Sequence, residues 1–204
     1  MPMMEQERKI ICRAGKLLFE KGFMQYNGGN ISMRDPESGL VCIKPSGKPW
    51  CDMSPEDLII VDLDGNVIEG DLKPSIETQM HTLVYKTYPA FHAVIHSHPV
   101  YVTAWSSKGR EQLDAITVWP YRNEGPIKVA PFEPAGSEKL AQSAVEAMGD
   151  GVAAILQSHG LICAGKDMDD AAAVTFAIEA TAKVACIAEC ISGESIYINE
   201  QMGW

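Results

Sequence analysis

The sequence predicts a layered α/β or α+β domain built on a mixed sheet, and three observations carry that expectation. Short apolar runs of strand length, rich in Val, Ile and Ala, recur at 93–95, 127–129 and 153–156. Helical periodicities interleave with them irregularly, at 5–20, 76–85, 137–148 and 169–191. Clusters of Gly, Pro, Asn and Ser punctuate the chain between these segments. The 204 residues, 46% apolar and 22% charged, suffice for one sizeable core, so residues 1–204 are expected to form a single domain.

Taken in order, Ile10, Ile11, Ala14, Leu17 and Leu18 mark an amphipathic N-terminal helix that Lys21-Gly22 stops. The turn Asn27-Gly28-Gly29-Asn30 leads into a short strand at 31–34, which pairs as a hairpin with a second at 40–43. Ser54 and Pro55 read as N-cap and first residue of a single helical turn. A strand at 58–61 and the turn Asp64-Gly65 lead to Val67-Ile68. In the helix over 76–85, Ile76, Met80, Leu83 and Val84 form the apolar face, and Glu77 sits in the first turn, where the helix dipole favours a carboxylate. A helix follows Pro99, and strands are expected around 116–118 and 127–129, joined by a loop containing Tyr121. Ser137 caps the helix to Met148, and Ser192-Gly193 ends the last and longest one.

A formal net charge of −10 argues against a nucleic-acid backbone binder and against a basic membrane-surface protein, while leaving a small anionic ligand open. The six cysteines are scattered without a C-x-x-C pair, so neither a zinc ribbon nor a redox motif is signalled; Cys186 and Cys190 read as small core hydrophobes. Residues 1–8 lack the pattern of a signal peptide, and no run reaches the roughly 20 apolar residues of a membrane span. A reduced, cytoplasmic protein is expected.

The chemistry centres on His96-Ser97-His98 at the end of an apolar strand. Side chains at i and i+2 share a face, so two imidazoles are presented together. A second apolar strand, 153–156, ends in Gln157-Ser158-His159, and two strand ends in a parallel-type sheet can converge on one crevice. Three imidazoles with Glu77 make a four-ligand set suited to Zn²⁺ and tolerable to Mn²⁺ or Co²⁺. Such an ion polarises a carbonyl and stabilises the enediolate formed beside it. Glu77, displaced by substrate, would then act as general base and acid; alternatively it only caps its own helix. His81 forms an i, i+4 pair with Glu77, or orients its neighbours from the core; His92 reads as a surface residue. Gly28-Gly29-Asn30, Ser46-Gly47 and Ser75 offer N–H groups, hydroxyls and an amide of the kind that holds anions, though none matches a nucleotide-binding loop; Lys48 and Lys73 read as solvated.

The ordered set Gly28-Gly29-Asn30-Ile31-Ser32, Lys44-Pro45-Ser46-Gly47, Lys73-Pro74-Ser75-Ile76-Glu77, His96-Ser97-His98 and Ser158-His159-Gly160 resembles the class II aldolase/adducin family. The resemblance spans about residues 22–191. It implies a single three-layer α/β/α domain with a central, mainly antiparallel mixed sheet, assembled as a homotetramer with active sites between subunits. It also implies a zinc-dependent lyase that cleaves a ketose 1-phosphate, such as L-fuculose 1-phosphate, to dihydroxyacetone phosphate and an aldehyde. His96, His98 and His159 take the zinc-ligand positions, and Glu77 that of the acid that both ligates and moves protons. Gly29, Asn30, Ser46, Gly47 and Ser75 take the phosphate-binding positions. The family's second hydroxyl before the acid is Ile76 here, which removes a donor. Related sugar-phosphate 4-epimerases carry aspartate where this chain has Glu77, and a decarboxylase, a dehydratase or a non-catalytic adducin-like module are further readings. Tyr121 and Tyr197 are possible counterparts of the family's aldehyde-side tyrosine.

Overall fold

The computed structural model describes residues 3–115 and 125–193. The expected strand around 116–118, Tyr121 and Tyr197 lie outside the described residues. Among the described residues nine strands form one sheet: β1 (Asn30–Arg34), β2 (Val41–Ile43), β3 (Ile59–Val61), β4 (Val67–Glu69), β5 (Ala93–Ser97), β6 (Gln112–Leu113), β7 (Ile127–Ala130), β8 (Ala153–Leu156) and β9 (Gly160–Gly165). Their order across the sheet is β4-β3-β2-β1-β5-β9-β8-β7-β6. Among the described pairings only β7 with β8 is parallel. This is the mixed, mainly antiparallel sheet expected, and not the parallel-type sheet from which the histidines were expected to converge.

The described α-helices, α1 (Glu5–Glu20), α2 (Thr78–Thr87), α3 (Val100–Ser107), α4 (Glu138–Met148) and α5 (Met168–Ala188), cover the sheet. Alternation along the strands divides the core between the two faces. Ile31, Met33, Ala93 and Ile95 pack with α1 and the start of α5, while Ala153, Ile155, Leu161 and Cys163 pack with α3 and α5. Val41, Ile43, Val94, Ala154, Leu156, Ile162 and Ala164 face α2 and α4. Burial on both faces explains why the central strands read as unbroken apolar runs rather than alternating ones.

The helix ends follow their local chemistry. Gly22 adopts φ 80° just after α1, the left-handed conformation that stops the helix. The Ser137 hydroxyl accepts from the Leu140 N–H, and the Asp167 carboxylate accepts from the Asp170 N–H, so α4 and α5 are both N-capped by side chains. Ser54 instead donates its N–H and hydroxyl to the Asp57 carboxylate across a single 3-10 turn, and Asp57 also binds Lys48 at 2.9 Å. Lys48 is thus ion-paired rather than free in solvent.

Three expectations are corrected. Thr78, not Ile76, opens α2, so Ile76 lies before the helix with 65% of its surface exposed and plays no part in the apolar face. Cys186 is only half-buried, and Cys190 is exposed beyond α5, which stops at Ala188 rather than running to Ser192-Gly193. By length and composition α5 does qualify as a membrane-crossing helix, with a mean hydropathy of 1.6 in its most apolar window. It packs Ala171, Val174, Ile178, Ala182 and Ala185 into the core, and its Ala-rich composition lets it lie close against β9 and α3.

Candidate metal centre

β5 and β8 flank β9 and are both antiparallel to it, so they run the same way and their C-terminal ends lie at one edge of the sheet. His96 is on β5, paired with Ile162; His98 follows directly; His159 lies in the turn joining β8 to β9. The ring nitrogens of His96, His98 and His159 fall within 4.8 Å of one another, a grouping that could hold a metal ion. Convergence therefore comes from two like-directed strands around an antiparallel one.

The turn that carries His159 is tight. Ser158 takes φ 55°, and a Cβ on Gly160 would lie 2.2 Å from the Ser97 carbonyl oxygen. Gly29, at φ 69°, is similarly confined: a Cβ there would meet Met24 Sδ at 2.1 Å and the His96 carbonyl oxygen at 2.9 Å. The Gly28-Gly29 turn is thereby brought against the histidine strand, with Asn30 paired to His96.

The outer nitrogens set the tautomers. His96 Nδ1 lies 3.0 Å from the Leu161 carbonyl oxygen, which can only accept. His98 Nδ1 lies 2.8 Å from Gln25 Oε1, while Gln25 Nε2 donates to the His98 carbonyl at 2.9 Å, which orients the Gln25 amide. Both rings then carry their proton on Nδ1 and aim Nε2 lone pairs inward, 3.0 Å apart. Burial first, and then the neighbouring imidazoles, hold His96 well below its ordinary pKa; burial and then His159 also lower that of His98. Neutral rings with facing lone pairs are a donor set in want of a cation.

Glu77 lies beside the three histidines. It is the N-cap residue of α2 rather than part of the first turn, and its side chain caps nothing in its own helix. The buried carboxylate instead faces the histidines, with Oε2 3.2 Å from His96 Nε2 and Oε1 3.5 Å from His159 Nε2. Asn30 Nδ2 donates to Oε2 at 2.7 Å, whereas Oε1 is buried with no hydrogen-bond partner. A buried carboxylate oxygen is costly to leave unpaired. An ion between Oε1 and the inward Nε2 atoms would satisfy it, and the N₃O donor chemistry fits a borderline divalent metal.

The anion-like loops meet beside Glu77. Ser46 N–H donates to the Lys73 carbonyl and Ser75 N–H to the Lys44 carbonyl, stitching segments 44–47 and 73–75 together. Those two N–H groups are therefore committed, and what the loops hold outward is the exposed Ser46-Gly47 turn, with Gly47 at φ 73°. Ser75 is buried, and its hydroxyl accepts from the Glu77 N–H. The Asn30 side chain is buried between Glu77 and His81.

Sequence reasoning missed Lys44 as a distinct group. It is 2% exposed, donates to the Asn27 and Pro45 carbonyls at 3.1 Å, and lies over the Trp50 ring. Burial pushes its pKa down to about 8. Lysine inside a Lys-Pro-Ser-Gly turn gives no periodicity signal of burial. His81 is fully buried 2.5 Å from Asn30 and is not a member of the histidine cluster, and half-buried His92 is likewise outside it.

Fold and site together define an α/β protein with a three-histidine, one-carboxylate centre at one edge of a mainly antiparallel sheet. Residues 9–186 match the family described as Class II Aldolase and Adducin N-terminal domain, and the chain belongs to that family. It is 38% identical over 183 residues to 5-deoxy-D-ribulose 1-phosphate aldolase of Bacillus thuringiensis serovar kurstaki, covering 89% of this chain and 85% of that one. It is 31% identical over 182 residues to 3-oxo-tetronate 4-phosphate decarboxylase of Haemophilus influenzae, covering 87% and 86%. A solved L-fuculose 1-phosphate aldolase superposes with a TM-score of 0.91 at 31% identity, covering 97% of this chain and 92% of the other.

Proposed function

We propose that the chain is a metal-dependent aldehyde-lyase that cleaves a ketose 1-phosphate to dihydroxyacetone phosphate and an aldehyde, working as a cytoplasmic homotetramer whose residues 1–204 form one class II aldolase domain. The observation that carries this reading is the buried Oε1 of Glu77, without a hydrogen-bond partner, facing the cluster of three imidazoles. In this reading His96, His98, His159 and Glu77 hold Zn²⁺, or Mn²⁺ or Co²⁺ in its place. The ion, when bound, supplies Lewis acidity toward the substrate carbonyl and takes up the negative charge that develops when the C–C bond breaks.

The chain's own residues do the rest. Leu161 and Gln25 fix the tautomers of His96 and His98, so no rearrangement is needed to ligate. Glu77 returns a proton to the carbon left after cleavage; burial beside Asn30 keeps it in place. Gly29, Asn30, Ser46, Gly47 and Ser75 take the phosphate end, with the Ser46-Gly47 turn the most open of these. L-fuculose 1-phosphate and 5-deoxy-D-ribulose 1-phosphate, named for relatives, are the first substrates to test.

The decisive assay incubates the Zn²⁺-loaded protein with ketose 1- and 5-phosphates and identifies products. Dihydroxyacetone phosphate plus aldehyde supports the lyase, and an inverted ketopentose phosphate would replace it with an epimerase. Glu77→Gln should keep the fold and lose about 10²–10⁴-fold in turnover, and unchanged turnover would remove Glu77 from the mechanism. Decarboxylation of a 3-oxo acid phosphate is the second reading. It is favoured by the decarboxylase relative and by exposed Ile76, which offers no hydroxyl donor at that position; carbon dioxide release would establish it.

A further inference from the structure

A buried file of polar side chains runs from the interior of α2 to Glu77. On β1, Asn30 and Ser32 are two residues apart and face α2; on α2 and its N-cap, Glu77, His81 and Tyr85 recur every fourth residue. Tyr85 Oη lies 2.8 Å from Ser32 Oγ, and Ser32 Oγ lies 2.7 Å from His81 Nδ1. His81 Nε2 lies 2.5 Å from Asn30 Oδ1, and Asn30 Nδ2 lies 2.7 Å from Glu77 Oε2. Tyr85, Ser32 and His81 are fully buried, and Asn30 and Glu77 are 5% exposed, so water does not compete for these bonds.

We propose that His81 is a positioning residue that, held as its Nε2–H tautomer by Ser32 and Tyr85, locks the Asn30 amide with its NH₂ group donated to Glu77. The proposal rests on the role given to Glu77 above. Each link forces the next. Glu77 Oε2 accepts from the Asn30 amide at 2.7 Å, so Asn30 turns Nδ2 toward Glu77 and Oδ1 toward His81. Oδ1 only accepts, hence His81 Nε2 must carry the proton and Nδ1 must be bare. Bare Nδ1 accepts from the Ser32 hydroxyl, whose oxygen in turn accepts from the Tyr85 hydroxyl. In this direction every member of the file is satisfied. With the opposite tautomer, Nδ1–H would face Ser32 and bare Nε2 would draw the Asn30 NH₂ away from Glu77.

Supporting this, burial drives the His81 pKa down to about 3 and pushes the Tyr85 hydroxyl well above its ordinary range, so that His81 is neutral and Tyr85 keeps its proton at pH 7. Glu77 Oε1 receives no such bond. Asn30 therefore grips one oxygen and leaves the other for the centre.

The test begins with ¹⁵N NMR of histidine-labelled, metal-free protein at pH 7, which reads the tautomer independently of activity. Protonated Nε2 with bare Nδ1 at His81 is expected, and the Nδ1–H form overturns the proposal. Next, His81→Phe should lower kcat by about 10–100-fold with KM and metal content little changed, while His81→Gln, which returns an N–H near Nε2, should recover most of that loss. Folded, metal-loaded His81→Phe with wild-type kcat overturns it too. If His81→Phe does not fold, Ser32→Ala serves instead; it removes the donor to Nδ1 and should weaken the tautomer preference seen by NMR, and an unaltered spectrum counts against the file. Should Glu77→Gln prove fully active, the role of Glu77 fails, whereas the tautomer measurement still decides the orientation of Asn30.

Discussion

Gly160→Ala is the substitution for which the structure gives the sharpest expectation. The added Cβ would lie 2.2 Å from the Ser97 carbonyl oxygen and 3.0 Å from His98 Cδ2, the first contact being over an ångström inside ordinary van der Waals distance. The obstructing atom is backbone, and it belongs to the ladder in which Ser97 pairs with Leu161 and His96 with Ile162. Relief must therefore separate β5 from the turn that carries His159. Overpacking of this kind costs about 1–3 kcal/mol. Because the displaced segments carry the proposed ligands, zinc affinity should fall about 10–100-fold, the range seen when the groups that support metal ligands are removed. Gly39→Ala is the control: at φ 72° with open space around it, it should lose about 1–2 kcal/mol through backbone strain alone and keep its zinc affinity. Urea denaturation of the metal-free proteins, with zinc titration against a chromophoric chelator, reads both quantities. Gly160→Ala with unchanged stability and unchanged affinity would refute the packing account.

Three further outcomes are expected. His81 has a folded pKa of about 3, below its unfolded value near 6.5, so its contribution is complete above pH 6.5 and is lost on acidification as the unfolded chain binds the extra proton. The metal-free protein should lose about 1.4 kcal/mol from this group for each pH unit below 6.5, and His81→Gln should show a correspondingly shallower decline in urea melts between pH 7 and 5.5. Arg8→Ala strands the Pro55 and Leu58 carbonyls and Glu69, all bound by a guanidinium 3% exposed, and should cost about 3 kcal/mol by the same melts. Glu179→Gln keeps one acceptor for the Tyr101 and Val102 N–H groups where the carboxylate offers two, and should lower stability by about 1–2 kcal/mol through a looser start to α3.

Much of this architecture was legible in the sequence because local signals and burial agree. The bounds of α1 follow from periodicity and Gly22, and the β1–β2 hairpin from its Gly-containing loop. The grouping of the three histidines is legible because strand-end spacing holds whether β9 runs parallel or antiparallel to β5 and β8, and it is antiparallel to both. Ile76 has helical spacing with Met80, Leu83 and Val84 but lies outside α2, because the Lys73-Pro74-Ser75 turn, tied to Lys44 and Ser46, holds the chain out of the helix until Thr78. The Asn30–His81 link was hidden by a different cause. Its two halves, a period-2 pair on β1 and a period-4 row on α2, are each visible, but only the packing of α2 on β1 joins them. Arg8 and Lys44 escaped notice because charged residues read as solvent-facing until their carbonyl partners are in place.

Metal analysis of the purified, exhaustively dialysed protein tests the central claim most directly. About one divalent ion per chain is expected in the wild type, with loss of the ion in His96→Ala and in His159→Ala. A protein that binds no ion after incubation with Zn²⁺, or an ion retained in full by both variants, would contradict it.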